Sequence, residues 1–167
     1  HGSPFRETAL NERAAAACER AQATGLPVMF VNQLAGQDEV LFEGASFVMD
    51  AAGEIQYRAP QFCEGVFNTA WARRDGQWTC TDGPAFDWVG GEEMTYRAVT
   101  MAVRDYVEKN RFKGVVIGLS GGVDSALTAA IAVDALGPDR VRCVMTPSRY
   151  TSPDSLEDAE ECAQLLG

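Results

Sequence analysis

Residues 118–125 read Gly-Leu-Ser-Gly-Gly-Val-Asp-Ser, and they close an apolar run, "GVVIGL", of the kind that forms a buried parallel strand. After them "VDSALTAAIAVDAL" continues as a helix of small residues, ended by Gly137-Pro138. A glycine-rich turn from strand into helix is a place to hold an anion. The first N–H groups of a helix have no internal partners and lie at the positive end of its dipole. Gly121 and Gly122 let the backbone turn sharply and approach a ligand closely, while Ser120 and Ser125 add hydroxyl donors. Such a loop grips a diphosphate without a lysine.

Asp124 needs its own reason, because a bare carboxylate beside a polyphosphate is repelled. It makes sense facing a Mg²⁺ ion that the phosphates share, since hard oxygen ligands suit that ion. Taken alone, Asp124 reads as well as an acid favoured by the helix dipole; the serines and glycines around it tip the reading toward the metal. The P-loop pattern GxxxxGK[ST] is not met, because no lysine follows the glycines.

The elements around this loop alternate. "EEMTYRAVTMAVRDYVEKN" predicts a helix with Tyr96, Val99, Val103, Tyr106 and Val107 on its apolar face. "VRCVMTP" predicts a second strand, and "SLEDAEECAQLLG" a further helix opened by a Ser155/Asp158 capping box and closed at Gly167. Helix-strand-helix-strand-helix with short connections is half of a doubly wound sheet, whose ligands sit at the carboxyl ends of the strands. Upstream, "ALNERAAAACERAQA" predicts a helix stopped at "TGLP", and "PVMFVNQ" a short strand. "ASFVMD" and "IQYRAP" predict a β-hairpin around "AAGE". Residues 63–90 follow neither period and collect turn residues, so they read as a linker in which Trp71, Trp78 and Trp88 are packing anchors.

With 167 residues, the chain can form one domain with a proper core or two partial ones. Its 46% hydrophobic and 23% charged residues belong to a soluble globular protein rather than a disordered one. A net charge of −10 argues against nucleic-acid or anionic-membrane binding, so an anionic substrate must be held by local dipoles, arginines and metal. Cys18, Cys63, Cys80, Cys143 and Cys162 have no CxxC spacing and only His1 for company. That disfavours structural zinc and a disulfide framework and fits reduced thiols in a cytoplasmic protein, Cys143 and Cys162 being small core residues. No run is long enough to span a membrane, and the N-terminus lacks a signal-peptide shape.

"SGGVDS" resembles the pyrophosphate-loop motif of the ATP pyrophosphatase superfamily, whose members bind ATP by its β,γ-phosphates and cleave between α and β. The resemblance implies Gly118, Leu119, Ser120, Gly121, Gly122, Val123, Asp124 and Ser125 as ATP-binding residues, with Asp124 as the Mg²⁺ ligand. The motif alone would also fit GMP synthetases, asparagine synthetases and tRNA-thiolating enzymes. Its flanks, "GLSGGVDSALTAAIAVDALGPDRV" and "MTPSRYTSPDSLEDAEECAQLLG", resemble the synthetase domain of glutamine-dependent NAD⁺ synthetases, with Thr146 a mild departure before Pro147. "GSPF" and "TGLPVMFVNQLAGQDEVLFEGASFVMDAAGEI" resemble the last third of the same family's nitrilase-like glutaminase domain.

The resemblance implies a fold and a reaction. Residues 1–62 would end a nitrilase-like α/β sandwich, 63–90 would be the linker, and 91–167 would begin a Rossmann-like, doubly wound parallel sheet of the adenine nucleotide alpha hydrolase-like kind. The parent would be an ATP- and Mg²⁺-dependent ligase that adenylylates deamido-NAD⁺ and amidates it with ammonia from glutamine, expected to be a homo-oligomer. Ser3 matches a serine that contacts glutamine in the family, although Ala9 stands where the family usually has lysine. The family's Glu-Lys-Cys triad precedes "GSPF", so no catalytic residue falls within this chain, which reads as a middle piece of a longer protein. Arg149, after a strand end, is a candidate for ATP or product phosphates. Two other readings stay open: another pyrophosphate-loop ligase or amidotransferase, and a non-catalytic segment with a role in assembly.

Overall fold

The computed structural model describes residues 1–167, which divide into two compact units, His1–Ala98 and Val99–Gly167. The first unit carries α1 (Ala9–Thr24), β1 (Val28–Phe30), β2 (Leu34–Gln37), β3 (Val40–Glu43), β4 (Phe47–Met49), β5 (Ile55–Arg58), β6 (Ala70–Arg74) and β7 (Gln77–Asp82). A long helix, α2 (Gly91–Lys109), runs across the division. The second unit continues with β8 (Val115–Gly118), α3 (Val123–Leu136), a 3₁₀ turn at Pro138–Arg140, β9 (Val141–Val144) and α4 (Pro153–Leu166).

In the first unit α1 buries Ala9, Arg13, Ala17 and Ala21, one residue per turn along a single stripe. Small alanines at three of these places let the helix sit close to an antiparallel sheet in the order β1-β4-β5. Ala17, Ala21, Phe47 and Met49 form the core, with Phe30, Ile55 and Trp88 packed around them. Gly25, at φ 67, ends α1 in the left-handed conformation expected of the residue after a helix. The β4/β5 hairpin also appears as expected, its turn held by Asp50 Oδ1 accepting from the N–H groups of Ala52 and Glu54 at 2.9 Å each.

Residues 63–90 are more ordered than their turn-rich composition predicts. β6 and β7 pair antiparallel through Asp75-Gly76, both at positive φ, the geometry that an Asp-Gly hairpin turn requires. The segment after β7 is tied back to β5: Arg58 N–H donates to Pro84 O at 2.8 Å and Phe86 N–H to Arg58 O at 3.1 Å. Trp88 is the packing anchor expected, edge-on to Phe47 and donating Nε1–H to Ala59 O at 2.7 Å. Trp78 is not, being 47% exposed with the Arg73 guanidinium over its ring.

In the second unit β8 and β9 pair in parallel, joined through α3. Leu119, Ala129 and Ala159 centre a core that Ile117, Cys143, Met145, Cys162 and Leu166 complete, so α3 and α4 cover the same face of the pair. The two cysteines are partly buried members of that core, as expected. Within residues 1–167 the opposite face is uncovered, with Val116 at 71% exposure. On α2 the buried residues are Met94, Ala98, Met101 and Val107, whereas Val99 and Tyr106 are exposed. Of the apolar face expected from Tyr96, Val99, Val103, Tyr106 and Val107, Val107 is buried and Tyr96 and Val103 are partly buried, while a stripe of methionine and alanine is buried that hydrophobicity did not single out.

Candidate functional site

The loop between β8 and α3 starts from a fixed point. Leu119 is buried and donates its N–H to Val144 O at 3.0 Å, extending the parallel ladder one residue past Gly118. The chain then turns at Gly121, whose φ of 81° is left-handed and whose α-carbon faces the Ser155 carbonyl so closely that a Cβ would overlap it. Gly122 is different. It is the N-cap of α3 at φ −91° and ψ 154°, and a Cβ there would meet only Ser120 Oγ at 3.5 Å. The expectation that both glycines are needed for the turn is corrected: Gly121 makes the turn, and Gly122 leaves space beside the helix end.

The two serines brace the loop. Ser125 Oγ donates to Gly122 O at 2.8 Å and accepts from Ser120 N–H at 3.1 Å, and it lies 3.0 Å from Ser120 Oγ. Ser120 Oγ accepts from Gly122 N–H at 3.3 Å. These bonds spend the hydroxyls on the loop itself. The donors left facing outward are the first backbone N–H groups of α3, from Val123, Asp124 and Ser125, of which Val123 is 78% exposed. Asp124 lies in that first turn, exposed.

No group of three or more His, Cys, Asp or Glu side chains is arranged to hold a metal ion. A divalent ion here would take one carboxylate from the chain and complete its shell with phosphate oxygens and water, a donor set that suits Mg²⁺. The segment after β9 leaves the same carboxyl edge of the parallel pair. Its turn is closed by Thr151 Oγ1, which accepts from Ser148 N–H at 2.9 Å, and Arg149 stacks over Tyr150 at 4.8 Å. Ser152, not Ser155, caps α4: its Oγ accepts from Ser155 N–H at 3.2 Å with Pro153 in the first turn. The predicted capping box is thus shifted back by three residues, because proline suits the first helical position and fixes the start there.

In the first unit the structure gathers a cluster around Ser3 that composition and spacing did not single out. Arg13 and Glu43 form a buried ion pair, and Arg13 Nε donates to Ser3 Oγ at 2.8 Å. Asn32 binds the backbone of Ser3 from the other side. The available signal was an arginine interrupting the alanine stripe 9, 17, 21 of α1, where a buried charge demands a partner.

Cys18 is partly buried, Cys63 exposed and Cys80 buried, and burial pushes the Cys80 thiol above the ordinary range. Lys109 and Lys113 are the only lysines, and both lie in the second unit.

Sequence comparison matches residues 95–167 to the NAD synthase family model. The likeness continues upstream of that segment. The whole chain is 44% identical to a glutamine-dependent NAD(+) synthetase of Rhodobacter capsulatus and 38% identical to one of Acinetobacter baylyi, covering 30% of each. It also superposes over its full length on 31% of the glutamine-dependent NAD+ synthetase of Acinetobacter baumannii, solved in complex with ADP, with a TM-score of 0.91 and 41% identity. A synthetase from Cytophaga hutchinsonii, at 15% identity and a TM-score of 0.74, shares the fold. The chain therefore spans about a third of the length of the relatives it matches. The match to these relatives runs through residues 63–90 as well as through residues 95–167.

Proposed function

We propose that this chain is part of a glutamine-dependent NAD⁺ synthetase, a ligase that uses ATP to adenylylate the nicotinate carboxylate of deamido-NAD⁺ and then displaces AMP with ammonia drawn from glutamine. The observation that carries the reading is the loop of residues 118–125: a parallel strand end, a left-handed Gly121 and an open helix N-terminus bearing Asp124. Residues 118–125 would bind the β,γ-phosphates of ATP, with the N–H groups of Val123, Asp124 and Ser125 as the available donors. Ser120 and Ser125 keep the loop in shape for that ligand. Asp124 would hold Mg²⁺, which when bound offsets phosphate charge as pyrophosphate leaves. That departure explains a loop without lysine, since the leaving group is the pyrophosphate that the loop already holds.

The finer fold reading goes with this function. Residues 1–62 are proposed as the end of a nitrilase-like glutaminase domain, 63–90 as the connection, and 91–167 as the start of a doubly wound, Rossmann-like ATP pyrophosphatase domain. Ser3 is proposed as a glutamine contact, and the parent as a cytoplasmic homo-oligomer. No helix is long and apolar enough to cross a membrane.

The test is stoichiometric. The complete protein, given deamido-NAD⁺, ATP, Mg²⁺ and ammonia, is expected to form NAD⁺, AMP and pyrophosphate in equal amounts. Release of ADP and inorganic phosphate in step with NAD⁺ would overturn cleavage between the α- and β-phosphates.

A further inference from the structure

Ser3 is clamped from two directions. Arg13 donates from Nε to Ser3 Oγ and from Nη2 to the carbonyl oxygens of Ser3 and Pro4, each at 2.8 Å. Asn32 accepts from Ser3 N–H through Oδ1 at 2.9 Å and returns a bond from Nδ2 to Ser3 O at 3.1 Å. Asn32 is itself held, its N–H donating to Ser46 Oγ at 3.0 Å. The Arg13 charge is met by Glu43, and the two side chains are only 5% and 0% exposed. This arrangement fixes more than the position of Ser3. Arginine has donors and no acceptor, so Ser3 Oγ must accept from Arg13, and its own proton has to point elsewhere. Within residues 1–167 no acceptor takes that proton, and Ser3 is only partly buried. The hydroxyl is thus left as a donor of one fixed sense, although a free serine could turn either way.

We infer that Arg13 is a positioning residue, which sets the Ser3 hydroxyl as a hydrogen-bond donor toward a carboxylate or carbonyl oxygen of the amide substrate. Glu43 neutralises Arg13, and Asn32 fixes the backbone that carries the hydroxyl. The inference rests on the proposed reading of Ser3 as a glutamine contact. A lysine at position 13 keeps the charge but has no planar fork, and cannot hold the hydroxyl and two carbonyl oxygens together.

The experiment uses the complete protein. The KM for glutamine and kcat of glutamine-supported NAD⁺ synthesis are measured for Ser3→Ala, Arg13→Lys and the double variant, with ammonia-supported synthesis reporting that each is folded. Ser3→Ala is expected to raise the KM on the order of tenfold, the loss of one hydrogen bond to a charged or strongly polar oxygen. Arg13→Lys should raise it similarly with little change in kcat, and should add nothing in the Ser3→Ala background. A Ser3→Ala effect with no Arg13→Lys effect, or additive effects, overturns the positioning role while leaving Ser3 a glutamine contact. An unchanged KM in Ser3→Ala overturns the glutamine reading of Ser3 and the inference with it. Should Arg13→Lys not fold, Asn32→Ala carries the same comparison, since it frees Ser3 from the other side.

Discussion

The carbonyl oxygen of Ser155, in the first turn of α4, occupies the place that a Cβ on Gly121 would need. The backbone of Gly121 is also left-handed, at φ 81°. Two independent demands for glycine coincide at one residue, while Gly122 next to it faces neither. Gly121→Ala should therefore lower the stability of the second unit by more than about 1–2 kcal/mol, the ordinary cost of a left-handed residue with a side chain, before the overlap is counted. Gly122→Ala should cost little on backbone grounds. Thermal unfolding without ligand separates the two; equal losses would mean the loop does not adopt this turn.

Ligand protection separates shape from binding. Inorganic pyrophosphate and ATP should raise the melting temperature of the complete protein, as expected of ligands that bind only the native state. Gly122→Val sets a branched side chain beside the open N–H groups of α3 without forcing a left-handed backbone. It should keep a melting temperature within a few degrees and lose the protection. A valine variant with an undiminished ligand shift would reduce Gly122 to a connector.

Asp124 is exposed in the first turn of α3, so removing its charge leaves no buried partner stranded. Asp124→Asn should fold normally. If it is the protein's ligand to Mg²⁺, ammonia-supported synthesis should fall by more than about a hundredfold, beyond the typical cost of losing a residue that merely orients a metal ligand. Glutamine hydrolysis should be largely retained. Near-normal synthesis with ammonia would remove the metal role and leave Asp124 an acid favoured by the helix dipole.

What could be read in the sequence depended on how local each signal was. The bounds of α3 and the stop at Gly137-Pro138 follow from neighbouring residues, and they appear in the structure as written. So do the "AAGE" hairpin and the left-handed Gly25. The β6/β7 hairpin was equally local, an Asp-Gly turn between Trp71 and Trp78, but the surrounding glycines and acids read as linker. Hydrophobicity picks Tyr96, Val99, Val103, Tyr106 and Val107 as the packed face of α2; Val107 is buried, but so are Met94, Ala98 and Met101, while Val99 and Tyr106 are exposed, because fit against a neighbour is a tertiary property. The Arg13–Glu43 pair spans thirty residues and has no sequence pattern of its own. Within the loop of residues 118–125 the residue types were legible, but not that the hydroxyls of Ser120 and Ser125 would bind each other and the backbone.

The cysteines give a test that needs only the 167-residue chain. A Glu-Lys-Cys glutaminase needs a lysine beside its cysteine, and the first unit, which holds Cys18, Cys63 and Cys80, contains none. Cys80 is further disabled by burial, which raises its thiol and keeps the thiolate scarce at neutral pH. Cys63 is exposed, but its Sγ contacts only the Glu64 carbonyl oxygen, at 3.6 Å. The chain by itself should release no ammonia from glutamine, with or without ATP. Iodoacetamide should modify Cys63 first and Cys80 last, and raising the pH should speed the reaction of Cys80 only above the usual thiol range, since the folded-state shift is upward. Ammonia release abolished by a single Cys→Ala change would identify a nucleophile inside this chain and overturn the assignment of that chemistry to residues outside it. Release that survives the loss of all three cysteines would point to a different group altogether.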